Sequence, residues 1–320
     1  MSFWDESIKI GNRSFGRFIG GPLDGITDSP FRQLVRDFSK DELLYTEMRH
    51  VRCVAHDKGA AKALRFEQFE RPLNFQFAAN STEFIEQACQ KVLQAGVDAI
   101  DLNIGCPARN VIGSGSGSAL MADLHRLEAI VKAFRAAVPI PFTVKIRAGF
   151  KERNALEVAR MLEDCGVDAI AIHPRLQTQH FEGRPDYAYA AQVKKAVSIP
   201  VIISGGVVNF KTAQLAHEQT GADGFLIGRG IWAKPWKLEE LQAHARGQEY
   251  SVDNFTVLRY ALKHLDGLLS YYGPHGLFVF RKHLPFYVKG HKEATELRQE
   301  LLRAMQVQEV KDKLITFFGA

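Results

Sequence analysis

A thiol follows a run of apolar residues in the stretch DLNIGCPARN, residues 101–110. The run predicts a buried β-strand that ends at Gly105, Cys106 and Pro107. A thiol with its ordinary pKa of about 8.5 is protonated at neutral pH, yet it is acidic enough to give a proton to a carbon atom. Cys106 is therefore a candidate general acid, and Asn103 is a candidate to hold a ligand beside it. The alternative is a buried structural thiol, which is a common state of free cysteine.

Other polar side chains stand where further apolar runs end. Burying polar groups without partners costs free energy, so residues that only pack a core would not show this arrangement. Lys145 interrupts the run FTVKI and needs an anionic or acceptor partner, which either a cofactor or an internal pair with Asp101 or Glu47 would provide. The remaining positions are Gln76, Arg147, His173, Arg175, the turn 204–206 and the turn 228–230.

The two glycine-rich turns, Ser204-Gly205-Gly206 and Gly228-Arg229-Gly230, follow the last two predicted strands. Glycine lets backbone N–H groups approach an anion closely, and Arg229 adds positive charge. The pair of turns predicts a phosphate site, whereas a single turn of this kind would indicate only a tight connection.

The elements that must position these residues repeat along the chain. Three segments, AGVDAIDLNIG, CGVDAIAIHP and TGADGFLIGRG, each show a helix end, a glycine, a turn with aspartate and an apolar run. This pattern is typical of a parallel α/β protein. Eight strands are predicted near Phe18, Tyr45, Phe75, Leu102, Val144, Ala171, Ile202 and Leu226, with helices starting after the caps Ser81, Asp123 and Asn154. The count favours a (β/α)8 TIM barrel over an open doubly wound sheet, and active groups of a barrel lie at the C-terminal ends of its strands.

Strand-like runs stop near Arg246, and long helical patterns fill residues 246–320. We therefore predict a barrel domain over residues 1–245 and a small all-helical domain over residues 246–320. The segment RKHLPFYVKGHK, residues 281–292, contains no acidic residue.

Composition narrows the class of protein further. The 320 residues are 46% apolar and carry a net charge of +5, which permits a polyanionic partner. No apolar run is long enough to span a membrane and no secretory signal opens the chain, so we expect a cytoplasmic protein. The four cysteines form no C-x-x-C pair, which argues against disulfides and against a zinc site, and no metal is expected.

The chain resembles the tRNA-dihydrouridine synthases from about Ile8 to about Gly290. The motifs GPLDGITDSPFR, YTEM, FQFAAN, DLNIGCPARN, VKIRAG, IHPR, ISGG, IGRG and RKHLPFYVKG follow in that family's order. The resemblance implies an FMN-containing TIM barrel with a helical RNA-binding domain, in which NADPH reduces the flavin and the flavin reduces uridines of tRNA to 5,6-dihydrouridine. It also suggests a monomer.

The resemblance further implies residue roles. Cys106 matches the proton donor, with hydride arriving at C6 of the uracil and the proton at C5. From its position, Asn103 could hold the base or the flavin, and Arg175 could bind the uracil carbonyls. Arg281, Lys282, Lys289 and Lys292 are candidates to bind the RNA backbone, and the alternative for Arg281 and Lys282 is a place at the domain junction. The flavin would contact Pro22, Leu23, Asp24, Gln76, Lys145, His173, Ser204, Gly205, Gly206, Gly228 and Arg229.

The chain departs from the family's usual motifs at Leu23, Ala79, Pro174 and Ser204. Two other functions are compatible with the sequence. An FMN reductase of a free small molecule, similar to dihydroorotate dehydrogenases or enoate reductases, would explain the barrel but not the basic helical segment. An RNA-binding flavoprotein without catalysis would not need Cys106. The basic residues of the helical segment could also form an ordinary solvated face.

Overall fold

The computed structural model describes residues 2–290 and 294–319, and its first three quarters form a closed barrel of parallel strands. The strands are β1 (Ile8–Ile10), β2 (Arg13–Phe15), β3 (Phe18–Gly20), β4 (Leu44–Tyr45), β5 (Arg49–His50), β6 (Leu73–Ala78), β7 (Ala99–Asn103), β8 (Phe142–Gly149), β9 (Ala169–Leu176), β10 (Val201–Ser204) and β11 (Gly224–Ile227). The barrel runs β3-β4-β6-β7-β8-β9-β10-β11 and closes where β11 pairs with β3. This closure confirms the predicted barrel and excludes the open sheet, which would leave two unpaired edges. β5 continues the line of β4 along β6.

Helices surround the barrel and then continue beyond it. They are α1 (Ser29–Arg36), α2 (Val51–Ala55), α3 (Asp57–Ala63), α4 (Ile85–Gln94), α5 (Arg109–Gly113), α6 (Leu124–Ala137), α7 (Ala155–Asp164), α8 (Tyr187–Ala196), α9 (Phe210–Thr220), α10 (Lys237–Ala245), α11 (Asn254–Tyr272), α12 (Gly276–Tyr287), α13 (Ala294–Arg303) and α14 (Val307–Gly319). Short 3-10 helices lie at Phe3–Asp5, Gln68–Glu70, Gly117–Ala122, Gln177–Gln179, Arg229–Ile231 and Gly273–His275. Within residues 2–290 and 294–319, no helix combines the length and the apolar character that crossing a membrane requires.

Of the three predicted helix caps, one is confirmed in full. The Asp123 carboxylate accepts the N–H of Arg126 and caps α6, as expected. The prediction for Ser81 is wrong, because Phe84 adopts a left-handed conformation (φ 68°) and α4 begins only at Ile85. Asn154 does occupy the cap position of α7, but its side chain does not cap the helix.

Three aspartates tie neighbouring strands together at the N-terminal end of the barrel. Asp98, Asp168 and Asp223 each precede a strand, and each carboxylate accepts an N–H from the first residue of the strand before it, at 2.7–2.8 Å. Each also forms an ion pair with a lysine or arginine. The aspartate of the repeated glycine-turn-aspartate pattern thus aligns each strand with its neighbour.

The β1–β2 hairpin closes the same end of the barrel. Ile8, Ile10 and Phe15 are buried and join a cluster with side chains of the barrel interior, including Ala169 and Leu226. The hairpin therefore helps to fill the N-terminal end of the barrel interior with apolar side chains, and the polar side chains lie at the C-terminal end.

The helices after Asn254 pack around a cluster of buried residues that is separate from the barrel core. Tyr271 joins this part to the barrel, because its hydroxyl donates to the Arg65 carbonyl at 2.9 Å and its own carbonyl accepts from the Arg65 guanidinium at 2.6 Å. Lys263 pairs with Asp37 of the barrel as well. The division at residue 246 into two domains stays a prediction.

Two buried histidines, His264 of α11 and His283 of α12, meet beneath the barrel residue Phe31 with their ring centroids 4.3 Å apart. Both side chains are fully buried, and neither ring nitrogen of His283 has a hydrogen-bond partner among the described residues. Burial lowers the pKa of His283 to about 3 and lowers that of His264 well below its usual range. Both rings are therefore neutral in the folded protein.

This burial predicts a loss of stability in mild acid. Between pH 3 and 6.5 the unfolded chain binds protons that folded His283 does not, so the free energy of unfolding falls as the pH falls below 6.5. In His283→Leu, the fall measured between pH 6.5 and 5 should shrink by about 1.5 kcal/mol relative to the unchanged protein. Urea unfolding at both pH values measures the difference, and His125→Leu on the exposed face of α6 is the control. An unchanged pH dependence in His283→Leu would contradict this assignment.

Candidate active site

A cavity opens at the C-terminal ends of the barrel strands, where the sequence places its polar residues. The structure brings fourteen of the predicted site residues together in its lining. They are Pro22, Leu23, Asp24, Gln76, Asn103, Cys106, Lys145, His173, Arg175, Ser204, Gly205, Gly206, Gly228 and Arg229. Among residues 2–290 and 294–319, no cluster of histidine, cysteine, aspartate or glutamate side chains could hold a metal ion.

Cys106 lies on the loop that follows β7, and this loop is fixed on both sides of the thiol. Its N–H donates to the Asn103 side-chain oxygen at 2.8 Å, and its carbonyl accepts from the backbone and hydroxyl of Ser118 at 3.1 and 2.9 Å. The thiol is half-buried beside the cavity. Desolvation raises the pKa of Cys106, against an opposing effect of Lys145 and Arg147. The thiol is therefore protonated at neutral pH and can donate its proton.

Lys145 projects from β8 into the cavity. Its ammonium has no hydrogen-bond or ion-pair partner within the described part of the chain, so the alternative of an internal pair with Asp101 or Glu47 is not realised. Glu47 instead pairs with Arg49 and accepts the N–H of Gly25, both at 2.7 Å. Desolvation and the neighbouring Arg147 lower the pKa of Lys145 to about 8, which leaves it mostly cationic at neutral pH. A buried cation in this state calls for an anionic or electron-rich ligand.

His173 and Arg175, from β9, contact each other at the wall of the cavity. The Arg175 guanidinium donates to His173 Nε2 at 2.8 Å, and because arginine cannot accept a hydrogen bond, the proton of the neutral imidazole lies on Nδ1. Desolvation and the nearby cations lower the pKa of His173 to about 2. Arg175 also donates to the carbonyls of Glu182 and Gly183, so two of its five N–H donors hold a loop.

The turn after β10 leaves space at the cavity because two of its residues are glycine. Gly205 (φ 97°) and Gly206 (φ 84°) adopt left-handed conformations. A Cβ atom on Gly205 would lie 2.6 Å from the His173 ring, and one on Gly206 would lie 2.4 Å from the Tyr187 hydroxyl. Gly228 and Arg229 face the same space from the end of β11, and the Arg229 guanidinium has no acidic partner among the residues described here. Backbone N–H groups and an unpaired arginine form a cradle suited to a phosphate.

The two adjacent basic residues of α12, Arg281 and Lys282, point in different directions. Lys282 extends from the helical part toward the loop after β3, where its ammonium would lie 2.6 Å from a Cβ atom at Gly25, next to Asp24 of the cavity lining. Arg281 points away from the cavity and donates to the Ala304 carbonyl at 2.6 Å, which ties α12 to the end of α13. Lys289 is exposed, and Lys292 lies outside the described residues.

Sequence reasoning missed several residues of the site. Phe181 is 51% exposed at the cavity, and the guanidinium groups of Arg229 and Arg147 lie 4.9 and 5.5 Å from its ring centroid. The sequence places Arg147 at the end of a strand without indicating its role; in the structure it donates to the Gly105 carbonyl at 2.7 Å and thereby supports the Cys106 loop. Nothing near Phe181 in the sequence signals these contacts, because its partners come from distant strands.

The fold and the site together define a (β/α)8 barrel with a cationic, glycine-lined mouth beside a protonated thiol. The same fold occurs in the old yellow enzyme homologue from Zymomonas mobilis, which matches 79% of this chain and 95% of its own at a TM-score of 0.59 and 14% identity. Morphinone reductase in complex with tetrahydroNAD matches 78% of this chain and 92% of its own, with a TM-score of 0.57 and 14% identity.

The chain belongs to the dihydrouridine synthase (Dus) family, whose model matches residues 19–319. It is 35% identical to the probable tRNA-dihydrouridine synthase 1 of Synechocystis over 98% of this chain and 90% of that protein. It is 34% identical to tRNA-dihydrouridine synthase B of Xanthomonas axonopodis pv. citri over 93% of this chain and 91% of that protein. The predicted family resemblance is thus confirmed.

Proposed function

We propose that the protein reduces the C5–C6 double bond of uridines in tRNA to give 5,6-dihydrouridine, with FMN as cofactor and NADPH as reductant. The observation that carries this proposal is the protonated Cys106 thiol at the edge of a cavity that also contains Lys145 and the glycine cradle. Membership of the dihydrouridine synthase family supports the same reaction.

The residues present fit FMN. Its phosphate matches the cradle of Ser204, Gly205, Gly206, Gly228 and Arg229, which combines backbone donors with an uncompensated positive charge. The Lys145 ammonium and the Gln76 amide offer hydrogen bonds to the polar edge of the flavin ring. Pro22, Leu23, Asp24 and His173 complete the walls. When bound and reduced, FMN would supply a hydride to C6 of the uracil, and NADPH would restore it.

The protein's own groups then complete the reaction. Hydride arrival at C6 places negative charge on the C5–C4–O4 enolate of the uracil. The Cys106 S–H bond breaks, its proton forms the new C–H bond at C5, and the thiolate is reprotonated from solvent. One NADPH and one proton are consumed for each dihydrouridine. Asn103 and Arg175 are the candidates to hold the uracil, although Arg175 has few donors left after binding its loop.

Residues 1–245 would be the catalytic domain, and residues 246–320 the RNA-binding domain. A uridine in folded RNA must leave its stack to reach the cavity, so the RNA backbone has to be gripped beside the mouth. The position of the Lys282 ammonium near Gly25 supports Lys282 as the candidate for such a contact. Arg281, held by Ala304, would support the shape of this surface instead of reaching for the substrate itself.

The test is incubation of the FMN-loaded protein and NADPH with tRNA from cells that lack dihydrouridine. Mass spectrometry of nuclease fragments should show a gain of two hydrogens at defined uridines. Free uracil and an α,β-unsaturated ketone are assayed in parallel. Reduction of either small molecule without reduction of tRNA would overturn the proposal in favour of a small-molecule reductase.

Lys282→Ala should raise the KM for tRNA about five- to tenfold, because one phosphate contact is lost. The dependence of tRNA affinity on salt should weaken by about one charge, while NADPH-driven flavin reduction keeps its rate. The matched control is Lys9→Ala, since Lys9 is exposed on the hairpin at the opposite end of the barrel. Equal effects of the two substitutions would remove Lys282 from the RNA-binding surface.

A further inference from the structure

A chain of hydrogen bonds leads from the Cys106 loop down into the barrel. The N–H groups of Cys106 and Gly105 donate to Asn103 Oδ1 at 2.8 and 3.0 Å. Asn103 Nδ2 donates to Gln76 Oε1 at 2.9 Å, and Gln76 Nε2 donates to Asp101 Oδ2 at 2.8 Å. Every bond of the chain has its donor on the side of Cys106 and its acceptor on the side of Asp101.

The two ends of this chain dictate its direction. A side-chain amide has nearly the same shape when its oxygen and nitrogen are exchanged, so shape alone does not fix how Gln76 and Asn103 are turned. A backbone N–H can only donate, and an ionised carboxylate can only accept. With Asp101 at one end and Cys106 at the other, only one orientation of both amides satisfies every bond.

Asp101 is suited to this role because it lies beneath the cavity and has no access to solvent. It is fully buried in the layer below the site, where Thr143 Oγ1 donates to its other oxygen at 2.6 Å and the Tyr45 hydroxyl lies 3.4 Å from the same atom. Burial raises the pKa of Asp101 to about 7, while the bonds from Thr143 and Gln76 oppose this rise. A proton on the oxygen facing Thr143 would leave the other oxygen free to accept from Gln76.

We propose that Asp101 is a positioning residue that acts on the reaction through Gln76 and Asn103. By accepting from Gln76 it fixes which atoms of the two amides face the cavity, and through Asn103 it anchors the loop that carries the thiol. Its effect on loop geometry is independent of the reaction, whereas its effect on turnover rests on the proposed function.

Two substitutions separate this role from that of a buried charge. Asp101→Leu removes the acceptor of Gln76 Nε2, so nothing at this end fixes how the Gln76 amide is turned and the chain of hydrogen bonds loses its direction. Asp101→Asn removes the charge but retains an oxygen for Gln76 when its nitrogen faces Thr143, and it should therefore restore most of the behaviour. Thr143→Val is the control, because it alters the same buried layer and leaves the bond from Gln76 to Asp101 in place.

The first readout is alkylation of the FMN-free protein by iodoacetamide, followed at each cysteine by mass spectrometry. In Asp101→Leu, labelling of Cys106 should accelerate about tenfold, with Cys165 as internal reference at an unchanged rate. Asp101→Asn and Thr143→Val should stay within about threefold of the unchanged protein. Where Asp101→Leu fails to fold, Gln76→Leu breaks the next link and should give the same labelling.

The second readout is turnover on tRNA by the FMN-loaded variants. The kcat of Asp101→Leu should fall about 10- to 100-fold with an unchanged KM for tRNA, and Asp101→Asn should recover most of it. The inference is overturned by unchanged Cys106 labelling in Asp101→Leu, by equal effects of leucine and asparagine, or by acceleration at all cysteines together. Absence of dihydrouridine with the unchanged protein would instead overturn the proposed function and would leave the labelling result standing.

Discussion

Replacing Cys106 with alanine should lower the rate of dihydrouridine formation by about 10²- to 10⁴-fold, the usual contribution of a positioned general acid. The thiol lies at the cavity edge and its raised pKa keeps it protonated, which suits it to the proposed role of proton donor to C5. FMN content and NADPH-driven flavin reduction should remain unchanged, because neither needs a proton from this side chain. Single-turnover oxidation of the reduced enzyme by tRNA, analysed by mass spectrometry, measures the step.

Cys106→Ser extends this experiment. A serine hydroxyl is far less acidic than a thiol, so the serine variant should be nearly as slow as the alanine variant despite its similar size. Cys165→Ala is the matched control, since Cys165 is another half-buried free cysteine remote from the cavity. A rate of Cys106→Ala equal to that of the Cys165→Ala control would show that the proton comes from elsewhere.

Replacing Gly205 with alanine should weaken FMN binding by at least about 100-fold, which corresponds to about 2.7 kcal/mol. The added Cβ would lie 2.6 Å from the His173 ring, so the ring or the turn has to move, and either shift deforms the cradle for the phosphate. Quenching of FMN fluorescence by the apoprotein measures the affinity directly.

The control for this substitution is Gly221→Ala. Gly221 has a similar left-handed conformation (φ 66°) at the end of α9, but no atom of residues 2–290 or 294–319 lies within 4 Å of a Cβ built there. Both variants should lose about 1 kcal/mol of stability from the backbone conformation alone. Only Gly205→Ala should lose affinity for FMN, and a comparable loss in both would show that the effect is general destabilisation.

The fold could be predicted from the sequence because its signals are local and repeated. Each buried strand is a short apolar run, and each preceding Gly-x-Asp turn indicates where the run begins, as at Asp98, Asp168 and Asp223. The ends of these runs also locate the site, since parallel strands place their C-terminal residues at one face. Cys106, Lys145 and His173 could therefore be assigned to a single cavity without knowledge of their distances.

What the sequence could not provide were contacts between side chains of different elements. Arg281 and Lys282 are adjacent and both basic, but successive residues of a helix point about 100° apart, so one faces α13 and the other faces the loop after β3. Asp101 is a possible partner for Lys145 in the sequence, whereas in the structure it accepts hydrogen bonds from Gln76 and Thr143 on the two neighbouring strands. The left-handed residue before α4 is Phe84 and not a glycine, so the sequence does not indicate it and Ser81 is the wrong prediction for the cap.

The three aspartates at the N-terminal end of the barrel have a consequence for how such a protein changes over generations. They align the strands at the end of the barrel opposite to the cavity. Substitutions in the loops around the cavity can therefore change which RNA is bound without disturbing that alignment. Substitutions at Asp98, Asp168 or Asp223 would instead first reduce the yield of folded protein, and only later the turnover rate of each folded molecule. Selection on substrate and selection on folding thus act on different ends of one barrel.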